Sequence, residues 1–183
     1  GSSAGGLQIT GSDVVIRGLV LNSFGGTTVA TGLGTIIQGN YIGPAPSGLT
    51  AKTNGAAHNA INSALPGATD VLIGGLDADD RNLISGNTGS GITPNTGDDR
   101  WTVQGNYVGV DKTGLVALPN SYVGGSGGLS LDNSDGHIVG GSQTGAANVI
   151  AGNNDKGIAP NNSNHTRIEG NYISVGFDGT TPL

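Results

Sequence analysis

Short apolar runs separated by glycine and asparagine set the pattern of this chain. Val14-Val15-Ile16, Thr35-Ile36-Ile37, Val71-Leu72-Ile73, Trp101-Thr102-Val103, His137-Ile138-Val139 and Thr166-Arg167-Ile168 are bounded by turn residues. Apolar-polar alternation over so few positions predicts strands of about three to five residues. Gly, Asn and Asp between them predict sharp corners, where left-handed backbone is cheap only for such residues. No helix is expected, because Gly or Pro interrupts every candidate apolar stripe of period 3.6.

The pattern repeats. Gly39-Asn40-Tyr41-Ile42 returns as Gly105-Asn106-Tyr107-Val108 and Gly170-Asn171-Tyr172-Ile173, at spacings 105 − 39 = 66 and 170 − 105 = 65. Asn82-Leu83-Ile84-Ser85-Gly86-Asn87 returns as Asn148-Val149-Ile150-Ala151-Gly152-Asn153, again 148 − 82 = 66 apart. A period this long holds two strand-turn coils, so the chain predicts an all-β, right-handed parallel β-helix. It would have about six coils, two per 65–66-residue repeat, in one domain over residues 1–183. At about 4.8 Å per coil the stack would run roughly 25–30 Å.

Period-2 alternation then assigns side chains to faces. Ile16, Ile37, Ile73, Val103, Ile138 and Ile168 are expected to stack as one inward column. Ile9, Val29, Ile61, Ile92, Leu129 and Ile158 are expected to form another. Their outward neighbours, Thr10, Ala30, Asn62, Thr93, Ser130 and Ala159, make a small, uncharged row.

The strings Ile37-Gln38-Gly39-Asn40-Tyr41-Ile42-Gly43 and Arg81-Asn82-Leu83-Ile84-Ser85-Gly86-Asn87 resemble repeats of bacterial right-handed β-helix proteins of the pectin-lyase-like type. The resemblance covers nearly the whole chain and is strongest from Gly34 to Gly179. It implies an extracellular or cell-surface protein, with this chain a segment of a longer repeat array. It also implies that any catalytic groups lie on the outer side of one sheet and its loops. The histidine and Arg-x-Lys elements of polygalacturonases have no counterpart, since Thr166-Arg167-Ile168 leads into Glu169.

Composition narrows the function. Lys and Arg total only 7 and the net charge is −6, so no basic footprint exists for nucleic acid or anionic lipid. No apolar run approaches the roughly 20 residues of a membrane helix. The absence of cysteine removes disulfides and thiolate metal sites.

Candidate chemistry falls in a few places. Tyr41, Tyr107 and Tyr172 share one repeat position and are expected to point outward, two coils or about 9–10 Å apart. Rings at that spacing would stack on sugar rings of a polysaccharide, with Gln38, Gln104 and Glu169 adding polar contacts. Asp77, Asp79 and Asp80 cluster in one loop that could offer oxygen ligands to Ca²⁺. The next repeat carries no acid there, so a solvated loop with Asp79 or Asp80 paired to Arg81 is favoured. Asp98 and Asp99 form an acid pair reminiscent of a polygalacturonase site, but corresponding corners carry Asp13, Asp70, Asp135 and Asn164, so a turn role is favoured. His58, His137 and His165 read as surface turn residues. Asn40, Asn106 and Asn171 read as isolated corner formers, not a ladder, because Gly75 and Gly141 stand at that corner in the intervening coils.

Three functions are compatible with these residues: a structural or adhesive module, a carbohydrate-binding module, and a polysaccharide lyase or glycoside hydrolase. Uncapped coil ends also suggest self-association.

Overall fold

The computed structural model describes residues 4–54, 58–121 and 127–183. Each coil contributes three short strands. Coil 1 holds β1 (Leu7–Gln8), β2 (Val15–Arg17) and β3 (Val20–Leu21); coil 2 holds β4 (Val29–Thr31), β5 (Ile36–Gln38) and β6 (Tyr41–Ile42). Coil 3 holds β7 (Ile61–Ser63), β8 (Leu72–Gly74) and β9 (Leu83–Ile84); coil 4 holds β10 (Ile92–Thr93), β11 (Thr102–Gln104) and β12 (Tyr107–Val108). Coil 5 holds β13 (Leu129–Ser130), β14 (Ile138–Gly140) and β15 (Val149–Ile150); coil 6 holds β16 (Ile158–Ala159), β17 (Arg167–Glu169) and β18 (Tyr172–Ile173). Corresponding strands pair in parallel, giving three six-stranded sheets and a right-handed β-helix of six coils.

Register fixes which residues form the core. In the second sheet Ile16, Ile37, Ile73, Val103, Val139 and Ile168 align in one inward column. Val139 replaces the expected Ile138, because the coil-5 strand begins one residue later and Ile138 faces out. In the first sheet the column is Leu7, Val29, Ile61, Ile92, Leu129 and Ile158. Leu7, not Ile9, occupies the first place, so Gln8 rather than Thr10 begins the outward row. Continuous aliphatic columns suit a sheet whose strands are each only two or three residues long, since every inward side chain packs on the coil above and below.

The corner before the second sheet requires left-handed backbone in every coil. Asp13, Gly34, Asp70, Arg100, Gly136 and His165 stand at that register position with φ between 55° and 72°. Asp70 and Arg100, adjacent in this column, form an exposed ion pair at 2.8 Å. Beside it, Trp101 and His137 are fully buried. The Trp101 indole N–H donates to the Ala68 carbonyl at 2.6 Å.

His137 is therefore no surface turn residue. Its Nδ1 accepts the Trp101 backbone N–H at 3.2 Å, which leaves Nε2–H to donate to Ser134 Oγ at 2.9 Å. Burial holds its imidazole below the ordinary value of 6.5, although Asp99 and Asp135 pull the other way. Protonation thus favours the unfolded chain. Stability should be complete above pH 6.5 and fall as pH drops below it, with a limiting slope of about 1.4 kcal/mol per pH unit. Urea midpoints at pH 7.5 and pH 5 test this. Asp70, whose carboxyl is held below 3.8 by the Arg100 hydrogen bond, loses its contribution only at more acidic pH. The His137→Asn variant should lose most of the fall between pH 7.5 and 5; an unchanged profile would reject the assignment.

The corner between the second and third sheets carries a continuous asparagine ladder, contrary to the sequence expectation. The Nδ2 of Asn40 donates to Asn82 Oδ1 at 3.1 Å, Asn82 to Asn106 at 2.9 Å, Asn106 to Asn148 at 3.1 Å, and Asn148 to Asn171 at 2.8 Å. In the odd coils a loop intervenes between the glycine and the corner, so the rung is Asn82, not Gly75, and Asn148, not Gly141. A second ladder runs through Asn54, Asn87, Asn120 and Asn153 at 2.8–3.1 Å. Each amide also meets backbone groups, which resolves polar atoms that a corner buried on both sides would otherwise strand.

Candidate functional site

The third sheet is built differently from the other two. Its outward row reads Val20, Tyr41, Leu83, Tyr107, Val149 and Tyr172 in register. The tyrosines do point outward, as expected, but a second layer covers them. In the even coils the chain leaves the sheet in a hairpin closed by Pro44 and Ala51, Val110 and Ala117, or Val175 and Pro182. These hairpins repeat at the same period (110 − 44 = 66 and 175 − 110 = 65). They also bond to one another: Lys112 N–H donates to Gly48 O, and Phe177 N–H to Gly114 O, both at 2.9 Å.

Each ring lies under its own hairpin glycine. A Cβ at Gly48 would stand 3.0 Å from Tyr41 Cε2, one at Gly114 3.0 Å from Tyr107 Cε2, and one at Gly179 3.3 Å from Tyr172 Cε1. Tyr107 is consequently only 4% exposed and joins a small outer core with Leu83, Val110, Val149 and Ala151. An open three-tyrosine platform does not form. Burial pushes the Tyr107 phenol above its ordinary value near 10, opposed by the Arg81 charge.

What does form is a cleft of about 260 Å³ between the first two tyrosines. Leu83 lies between them in the outward row, Ala78 and Asp79 line the cleft, and Lys112 reaches it from the hairpin of the next repeat. Arg81 closes the set, with its guanidinium carbon 4.4 Å from the Tyr107 ring centroid and its Nε–H on Gly105 O at 3.1 Å. Arg81 thus stacks on an aromatic face instead of pairing with Asp79 or Asp80. Among the described residues Asp79 and Lys112 make no ion pair. Two cations and one carboxylate therefore face a partly aromatic slot.

This chemistry occurs once. One period later Asp79 and Arg81 correspond to Gly145 and Ala147, and Lys112 to Phe177. Phe177 packs between Tyr107 and Tyr172 at centroid distances of 6.0 and 6.3 Å.

The remaining candidates are dispersed. Gln38, Gln104 and Glu169 align on the second sheet, around the ladder corner from the tyrosines, and do not extend their patch. Gln38 and Gln104 donate to Gly74 O at 3.1 Å and Gly140 O at 2.8 Å, while Glu169 pairs with Arg167. Asp77 precedes a 3-10 turn, Ala78–Asp80, that separates the three acids. Asp80 turns to Arg17 at 2.9 Å and Asp79 to the cleft. Among the described residues no group of three His, Cys, Asp or Glu is disposed to hold a metal ion. The Asp98 carboxylate accepts the N–H groups of Gly67 and Ala68 at 2.8 Å and of Asn95 at 2.6 Å, and is fully buried. Asp99 accepts the Asp135 N–H at 2.8 Å. Both acids hold corners together. The outward row of the first sheet contains no ionisable side chain.

Sequence reasoning missed Arg81 and Lys112 as partners of the tyrosines. The signal for Lys112 was its place two residues beyond Val110 in a repeated hairpin, but nothing linear brings it to Tyr41. Comparison of the chain with protein-family models, curated proteins and solved structures finds no match. The parallel β-helix is established by the strand pairing.

Proposed function

We propose that the chain is a non-catalytic, extracellular β-helical module of structural or adhesive kind that engages polysaccharide through the cleft over its third sheet. The cleft itself carries this reading. It joins aromatic edges to a carboxylate and two cations on a backbone made rigid by ladders, and such a mixed lining suits hydroxyl-rich ligands. The extracellular placement rests on the resemblance to pectin-lyase-like repeats. The alternative, a polysaccharide lyase or hydrolase, draws nothing from Asp98 and Asp99, whose oxygens are engaged by backbone N–H groups.

Retention on a panel of insoluble polysaccharides, with Ca²⁺ and with EDTA, tests the proposal. Tyr41→Ala and Lys112→Ala should each weaken retention about tenfold, as expected when a central contact is lost. Both residues are accessible enough for the coil to survive their loss, which an unchanged melting curve would verify. Tyr107→Ala is the poorer probe because that ring is buried in the outer core. Equal retention by wild type and both variants on every polysaccharide would discard the cleft as a binding site.

A further inference from the structure

The 7 basic side chains of this molecule divide by their partners. Arg17, Arg100, Lys156 and Arg167 each pair with a carboxylate within 3.2 Å. Among the described residues Lys52, Arg81 and Lys112 have no such pair. Two of these three, Arg81 and Lys112, line the same cleft. In a chain of net charge −6, cations left without an acid are the exception, and here they converge.

Arg81 is fixed at one side of its guanidinium and open at the other. Its Nε–H donates to Gly105 O at 3.1 Å, and its guanidinium carbon lies 4.4 Å from the Tyr107 centroid. Among the described residues neither Nη group has a hydrogen-bond partner. A guanidinium seated this way keeps a rigid, planar pair of donors for an oxyanion. The loop that carries it is anchored too, because the Gly39 N–H donates to Asp80 O at 3.0 Å. Lys112 adds a point charge from the hairpin. A Cβ built on Gly48 would stand 2.9 Å from Lys112 Cβ and 3.0 Å from Tyr41 Cε2, so the lysine stem and the ring meet over one glycine. Asp79 is the single acid in the lining, since its neighbour Asp80 is drawn away by Arg17.

We infer that the cleft reads an oxyanion substituent on a sugar, held by the Nη pair of Arg81 and by Lys112, while Tyr41 packs against the sugar ring and Asp79 accepts one of its hydroxyls. The inference rests on the cleft being the polysaccharide site. The anion is a carboxylate or a sulfate ester, both of which offer the paired oxygens that a guanidinium engages. One such unit binds per chain. The equivalent positions one period later are Gly145, Ala147 and Phe177, none of them charged.

Matched series of immobilised cellulose and dextran, each neutral, carboxymethylated and sulfated, test this on constant backbones. At least one acidic form should retain the chain about tenfold more tightly than its neutral parent. The stronger acidic form identifies the anion. Retention should fall as salt rises from about 50 to 500 mM, because exposed charges are screened. The net charge of −6 opposes diffuse attraction to a polyanion, so the gain must come from a local cluster. Lys112→Ala and Arg81→Lys should each remove most of the preference, the second because an ammonium cannot supply the paired bonds. Asp79→Asn should act in the opposite direction, strengthening acidic retention about threefold by removing a like charge. Neutral parents retained as well as their acidic forms, with Tyr41→Ala weakening both, would overturn the oxyanion inference and leave the polysaccharide cleft standing. So would acidic retention that is absent, or indifferent to Arg81, Lys112 and Asp79. Retention unchanged by Tyr41→Ala and Lys112→Ala on every polymer would remove the cleft itself.

Discussion

Truncating Asn106 to alanine is expected to cost about 2–6 kcal/mol, a large fraction of the stability of an ordinary domain. Its amide nitrogen donates to Ile73 O at 2.8 Å, Gln104 O at 2.9 Å and Asn148 Oδ1 at 3.1 Å. Its oxygen accepts the Asn82 backbone N–H at 3.2 Å and side-chain amide at 2.9 Å. Alanine would remove all five contacts at a site with no solvent exposure, leaving at least two buried groups without partners. Each such group costs about 1–3 kcal/mol. Urea unfolding measures the loss directly. Asn154→Ala, at an exposed hydrogen bond to Ser121, should stay within about 0.5 kcal/mol. Asn106→Asp sharpens the test. The carboxylate keeps the acceptor but faces Ile73 O and Asn148 Oδ1 without a donor, so the variant should regain part of its stability when acid restores a proton. A loss below about 1 kcal/mol for Asn106→Ala would show that the ladder contributes little.

Gly74→Ala should be at least as damaging, by a different mechanism. Gly74 has φ +84°, and an added Cβ would stand 1.9 Å from Gln104 O and 2.6 Å from both polar atoms of the Asn106 amide. None of these atoms can yield without breaking the ladder or the second sheet, so the expected cost exceeds about 4 kcal/mol. Gly67 provides the control. It has nearly the same backbone, φ +82°, but nothing lies within 4 Å of a built Cβ. Gly67→Ala should cost only the left-handed penalty of about 1–2 kcal/mol. The difference between the two melting curves isolates close approach from conformation. Equal losses would mean that coil 3 shifts to accommodate the methyl group.

Both effects arise at corners, where the sequence was hardest to interpret. Asn82 and Asn148 are visible in a repeated motif, yet they were not recognised as rungs with Asn40, Asn106 and Asn171. The loop Leu76–Arg81 separates Asn82 from its glycine, so counting from the strand lands on Gly75. Asn54 and Asn120 stand one period apart (120 − 54 = 66) and mark the second ladder by the same logic. His137 was unreadable for a related reason. Its neighbours Gly136 and Ile138 suggest a turn leading into a strand, and only the adjacent coil shows that its ring accepts the Trp101 N–H.

The sequence by itself determined the β-helix, the six coils, the two-coil period and nearly all of the inward columns. Alternation is local, and a strand of three residues has one choice of which side chain faces a continuous apolar interior. Two slips differ in kind. Ile138 for Val139 came from a strand that starts one residue later. Ile9 for Leu7 is a two-residue offset along the same inward face, where Ile9 also packs on the core. Only the tertiary structure decided what covers the tyrosines, which asparagines form ladders, and that Asp79, Arg81 and Lys112 meet at one cleft. Those groups come from loops of unequal length in different coils. Their convergence is set by how neighbouring coils stack, and no spacing along the chain encodes it.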